Sequence, residues 1–166
     1  MTRKALFMGL LASTALLWTS MANAKTCRPD DYGARHDGVH DDTAAIQKAI
    51  DACAAGDEIV LAGGAYLSGP LTLSSGDTFD VAKGATLLGT ANHDAYRDGH
   101  GVNTVPLIGA NHAHDITLTG EGTIDGQGAS WWTAFRAARA AGADMARPKM
   151  IVLTDVSNLT VTKLTL

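Results

Sequence analysis

Gly120-Glu121-Gly122-Thr123-Ile124-Asp125-Gly126-Gln127-Gly128, running on into Ala129-Ser130-Trp131-Trp132, is the stretch that decides the fold. Apolar residues alternate just before it, in Ile116-Thr117-Leu118-Thr119. Alternation of this kind reads as a half-buried strand. Thr123-Ile124 restarts the pattern after Gly120 and Gly122, so the chain goes strand, tight bend, strand, tight bend. Glycine marks such bends because it adopts backbone angles that other residues avoid.

The same design extends on both sides. Upstream, Glu58 to Leu61, Tyr66-Leu67, Leu71 to Leu73, Thr78 to Val81, Thr86 to Leu88 and Val105 to Ile108 read as short strands, and Ile116 to Leu118 follows. Thr123-Ile124, Met150 to Leu153, Leu159 to Val161 and Leu164 to Leu166 continue the series. Ile59 and Phe79, and likewise Leu87 and Ile108, stand about 20 residues apart, a period that marks a solenoid. A sandwich would have longer strands and Asn-Gly hairpin turns, and no Asn-Gly occurs. The reading is a right-handed parallel β-helix.

A solenoid needs its ends covered. Thr26 to Val39 reads as loop, and Asp42 to Gly56 as one amphipathic helix. Asp42 or Thr43 would cap its free N–H groups. Ile46, Ala49, Ile50 and Cys53 would form its apolar stripe, with Gly56 at its end. This helix is expected to cover the first coil. At the other end a strand pattern runs to Leu166 with no polar cap, so the expectation is the front part of a longer protein.

Residues 1–24 read as a secretory signal peptide: Arg3 and Lys4, an apolar run to Trp18, and a small-residue site at Ala22-Asn23-Ala24. Residues 25–166 are then the N-terminal part of a β-helix domain, exported to the periplasm or beyond, with no membrane span left after cleavage. The net charge of −4 and the scattered Lys and Arg exclude a basic nucleic-acid face. Cys27 and Cys53 are an even pair in an exported chain, which points to a disulfide; two buried thiols are the alternative.

Four groups could carry chemistry. His36, Asp37, His40, Asp41 and Asp42 could hold a metal, but they also spell a turn and the acidic start of a helix. His112, His114 and Asp115 form a similar loop. Glu121 and Asp125 could be paired carboxylates, although in a coil such residues cap turns. Trp131 and Trp132 could stack on a sugar; with Phe135 and Ala138 they also make an apolar helical face, Ser130 serving as N-cap. None of these completes an active site, and no metal or cofactor is expected.

Several blocks resemble glycoside hydrolase family 28, the polygalacturonase family. They are Asp31-Tyr32-Gly33-Ala34, Asp37-Gly38, Asp41 to Ile50, Tyr66-Leu67-Ser68-Gly69-Pro70-Leu71, Lys83 to Leu87, Gly120 to Gly128 with Trp131-Trp132, and Arg147-Pro148. The block from Gly120 to Trp132 is the most specific. The first block also occurs in pectate-lyase-like proteins and phage tailspikes, which keeps a lyase-like enzyme and a non-catalytic polysaccharide-binding β-helix as alternatives. The resemblance implies metal-free, inverting hydrolysis of α-1,4 bonds between galacturonic acids in pectin, by a protein monomeric at full length. The family's catalytic motifs, Asn-Thr-Asp, Asp-Asp, His-Gly and Arg-Ile-Lys, have no counterpart here. No catalytic residue is assigned, and those motifs are expected downstream of Leu166.

Overall fold

The computed structural model describes residues 24–99 and 104–166. Apart from Ala24, the signal-peptide reading lies outside these residues.

Twelve strands are described, and all pair in parallel: β1 (Thr26–Cys27), β2 (Asp37–Asp41), β3 (Glu58–Leu61), β4 (Ala65–Ser68), β5 (Leu71–Thr72), β6 (Thr78–Val81), β7 (Thr86–Gly89), β8 (Ile108–Asn111), β9 (His114–Thr119), β10 (Thr123–Asp125), β11 (Ile151–Thr154) and β12 (Ser157–Val161). They form three sheets, ordered β1-β3-β6-β9-β12, β2-β4-β7-β10 and β5-β8-β11. From β3 onward, successive strands visit the first, second and third sheet in turn, while in the first coil helix α1 (Thr43–Ala52) follows β2 with no strand in the third sheet. The chain is therefore a right-handed parallel β-helix, the hand that parallel crossovers favour.

Each sheet contributes a column of inward side chains to the core. Cys27, Ile59, Phe79, Leu118 and Val161 stack in the first. Tyr66, Leu87 and Ile124 stack in the second, and Leu71, Ile108 and Ile151 in the third. Most are fully buried. Each such side chain contributes roughly 1.5–3 kcal/mol relative to exposure.

The glycines of the deciding stretch have a steric reason. Gly120 has φ +111°, and a Cβ on it would come within 2.0 Å of the Val81 carbonyl oxygen. A Cβ on Gly122 would stand 2.6 Å from the same oxygen. The bend between β9 and β10 thus lies directly on the coil below, where no side chain fits.

The cap helix, α1 (Thr43–Ala52), buries Ile46, Ala49 and Ile50 against the first coil. Cys53 lies just past it in extended backbone, and its sulfur joins that of Cys27. Asp42 does not cap α1 with its side chain. Its buried carboxylate accepts instead from the Arg35 and His36 N–H groups at 2.7 and 2.9 Å, pinning the preceding turn. Asp41 accepts from the Thr43 N–H at 2.9 Å. Gly56, beyond the helix, donates its N–H to the Gly76 carbonyl.

Other local readings are corrected. Thr26 to Val39 holds β1 and the start of β2. Val105 to Leu107 lies outside β8, and Leu164 to Leu166 makes only an isolated bridge from Thr165 to Thr123. Leu87 does not stack on Ile108. The two sit in different sheets, because a loop carrying a 3-10 turn at His93–Tyr96 enlarges that coil.

Candidate functional site

Two hollows flank the third sheet. One, of about 240 Å³, lies against it, between Pro70, Thr72, Pro106, Asn111, Val152 and Thr154. The other, of about 480 Å³, lies where the chain leaves β10 and returns to β11. The second is the one bordered by charged and aromatic side chains.

It is built by helix α2 (Gly128–Ala140), in which five Ala and two Arg favour the helix. Ser130 is inside its first turn, and Gln127 holds the cap position with φ +46°. The Asp125 carboxylate accepts from the Gln127 N–H at 2.8 Å, and the Gln127 side chain donates to the Gly89 carbonyl at 2.6 Å. The start of α2 is thereby tied to the coil beneath.

The two tryptophans part company. Trp131 is buried; His93 stacks on it at 3.7 Å and Tyr96 meets it edge-on at 5.6 Å. Burial pushes the Tyr96 phenol up to about 12. Trp132 is 49% exposed and meets Phe135 edge-on at 6.2 Å. The Arg147 guanidinium lies 4.1 Å from the centre of the Trp132 ring and 4.6 Å from that of Phe135. Such contacts hold the cation over the ring faces. Lys149 follows along the rim; its carbonyl accepts from the Leu107 N–H at 3.1 Å, which leads the chain into β11. Neither cation forms an ion pair among the described residues.

The other sequence candidates lie elsewhere. Glu121 reaches Lys83 at 3.8 Å on the surface and does not line the hollow, whereas Asp125 does. The pair does not converge. His40 contacts Asp37 at 2.6 Å, a carboxyl held well below its usual range chiefly by the His40 and Val39 N–H groups. His36 lies beside Tyr66. His112 faces Asp155 at 3.3 Å and His114 faces Asp115 at 2.8 Å. Neither histidine pair joins a third ligand among the described residues. The one such cluster there is Cys27, Cys53 and Asp57, whose sulfurs are bonded to each other. The hollow therefore offers recognition groups and no acid–base pair. Lys149 carries no motif of its own in the sequence; the signal for it and Arg147 is two cations flanking Pro148 after an aromatic segment. Among the described residues no helix is long and apolar enough to cross a membrane.

A family model described as "Rhamnogalacturonase A/epimerase, pectate lyase-like" matches residues 29–124. The chain is 35% identical over 131 residues to an exo-poly-alpha-D-galacturonosidase of Dickeya chrysanthemi, covering 70% of this chain and 22% of that protein. It is 30% identical over 138 residues to an endo-polygalacturonase of Pectobacterium carotovorum subsp. carotovorum, covering 71% and 34%. Among solved structures, the family 28 exopolygalacturonase of Yersinia enterocolitica superposes with a TM-score of 0.74 at 26% identity, over 86% of this chain and 35% of that one. The polygalacturonase of Erwinia carotovora ssp. carotovora gives 0.72 at 26%, over 86% and 42%. The chain thus spans about a fifth to a third of the curated relatives just named. By its coil, its bends and these matches, the chain belongs to the pectate-lyase-like rhamnogalacturonase A/epimerase family, and its likeness within it is to the polygalacturonases of glycoside hydrolase family 28.

Proposed function

We propose that this chain is the N-terminal portion of an exported polygalacturonase, which hydrolyses α-1,4-galacturonosidic bonds of pectin. The observation that carries this reading is its likeness to exo- and endo-acting polygalacturonases in both sequence and coil. Residues 1–24 serve as signal peptide and residues 25–166 begin the β-helix, delivering the protein to the periplasm or the medium. The full-length protein acts as a monomer, on a polysaccharide and not on nucleic acid or a membrane.

The catalytic carboxylates lie on coils downstream of Leu166. One protonates the leaving oxygen and others activate water on the opposite face of the sugar, so hydrolysis inverts the anomeric centre. Residues 25–166 supply the foundation on which those coils stack.

The test is to express the full coding region and to follow reducing ends released from polygalacturonate, reading the new anomeric centre by proton NMR. Release with inversion is expected from the full-length protein, and none from residues 25–166. Unsaturated products would mark a lyase. Saturable binding without turnover by the full-length protein would mark a carbohydrate-binding β-helix.

A further inference from the structure

We infer that the Asp57 carboxylate guards the Cys27–Cys53 disulfide against thiolates, so that the bond fastening the cap to the first coil exchanges slowly with anionic thiols. One Asp57 oxygen and the two sulfurs lie within 4.8 Å of one another. The carboxylate is held there from two sides. It accepts from the Lys25 N–H at 2.8 Å and from the Ala54 N–H at 3.3 Å. Lys25 leads into β1 and Ala54 follows Cys53, so the carboxylate is tied to the chain beside each cysteine. Among the described residues no ion pair cancels its charge.

The chemistry of exchange makes that charge count. Cys27 is buried and Cys53 half-buried, so Cys53 is the side an incoming thiol meets. Reduction begins when a thiolate sulfur bonds to the Cys53 sulfur. The S–S bond breaks, and its electron pair leaves on the Cys27 sulfur as a thiolate. A second reductant thiolate then attacks the mixed disulfide at the reductant's sulfur, which frees Cys53 as a thiolate and releases the oxidised reductant. In the first step negative charge approaches the carboxylate and then develops on Cys27 beside it. Like charges repel on both counts, and the barrier rises.

The experiment uses the oxidised full-length protein. Thiols freed from this bond are trapped with iodoacetamide, and the label on Cys27 and Cys53 is followed by mass spectrometry. Two reductants are compared, anionic glutathione and the neutral tris(hydroxypropyl)phosphine. Glutathione should reduce Asp57→Asn about threefold faster than the wild type, the effect of one unit charge several ångströms from the attacking sulfur in water. Added salt should shrink that difference by screening. The phosphine should reduce both proteins at one rate. Asp57→Asn keeps the shape of the side chain and an oxygen to accept from the Lys25 N–H. Equal rates for the two proteins in glutathione overturn the inference. So does an equal acceleration by both reductants, which would mean that Asp57 acts by holding β1 in place and not by its charge.

Discussion

One column of side chains passes through two different regions of the molecule. Cys27, Ile59, Phe79, Leu118 and Val161 stack in register along the first sheet. The first four are at most 3% exposed, whereas Val161 is 51% exposed. All are inward positions of the same repeating pattern. The difference is what lies above and below. Cys27 sits under α1 and is bonded to Cys53, while Ile59, Phe79 and Leu118 each have a coil on both sides. Among the described residues Val161 has a coil on one side. In a solenoid, burial belongs to the stack and not to the residue.

The strongest test of that contrast is truncation within the column. Phe79→Ala should cost about 3–5 kcal/mol, the loss expected of a fully buried aromatic. In residues 25–166 alone Val161→Ala should cost well under about 1 kcal/mol, since little of its apolar surface leaves water there, and more once a further coil stacks on it. Urea unfolding of the two variants measures both, and equal losses would end the comparison. The cap comes next. Replacing Cys27 and Cys53 together by Ser removes a cross-link between residues 26 apart. That should cost about 3 kcal/mol, and reductant should lower the melting temperature of the wild type and leave the double variant unmoved.

The smallest effect sharpens the electrostatic side. One Asp80 oxygen, in β6, is buried with no hydrogen-bond partner, and burial raises its carboxyl above the usual range. Asp115, at the turn opening β9, is held below that range first by His114 and then by Asn158. The signs are opposite. A raised carboxyl contributes stability below its unfolded value and loses it as pH rises through the folded value. A depressed one contributes above its unfolded value and loses it as pH falls through the folded value. Asp80→Asn should therefore raise the melting temperature at pH 7, by an amount that shrinks toward pH 4. Asp115→Asn should lower it at pH 7, by an amount that shrinks as the solution becomes more acid. Thermal melts across pH 3 to 7 read both slopes.

Much of this was legible in the chain itself. Short alternating runs between glycines are local signals, and they yielded the parallel coil. The apolar stripe of α1 is also local, and it placed the cap. Gly120 and Gly122 signalled bends, although only the stacked coil revealed the Val81 carbonyl that forbids a side chain there. Register was not legible. Leu87 and Ile108 share the right spacing yet occupy different sheets, because a loop of any length can be inserted between strands without altering their pattern. Asp42 looked like a helix cap and instead holds a turn, since a carboxylate takes whichever N–H groups the fold brings to it.

The sequence by itself determined the repeating architecture, because strand alternation, glycine bends and helix periodicity are properties of neighbouring residues. Only the tertiary structure decided how Trp131 and Trp132 divide, one into the core and one to the rim, and that Arg147 and Lys149 border the same hollow. The groups of that hollow come from two segments that meet only when the coil closes, and no short-range pattern encodes such a meeting.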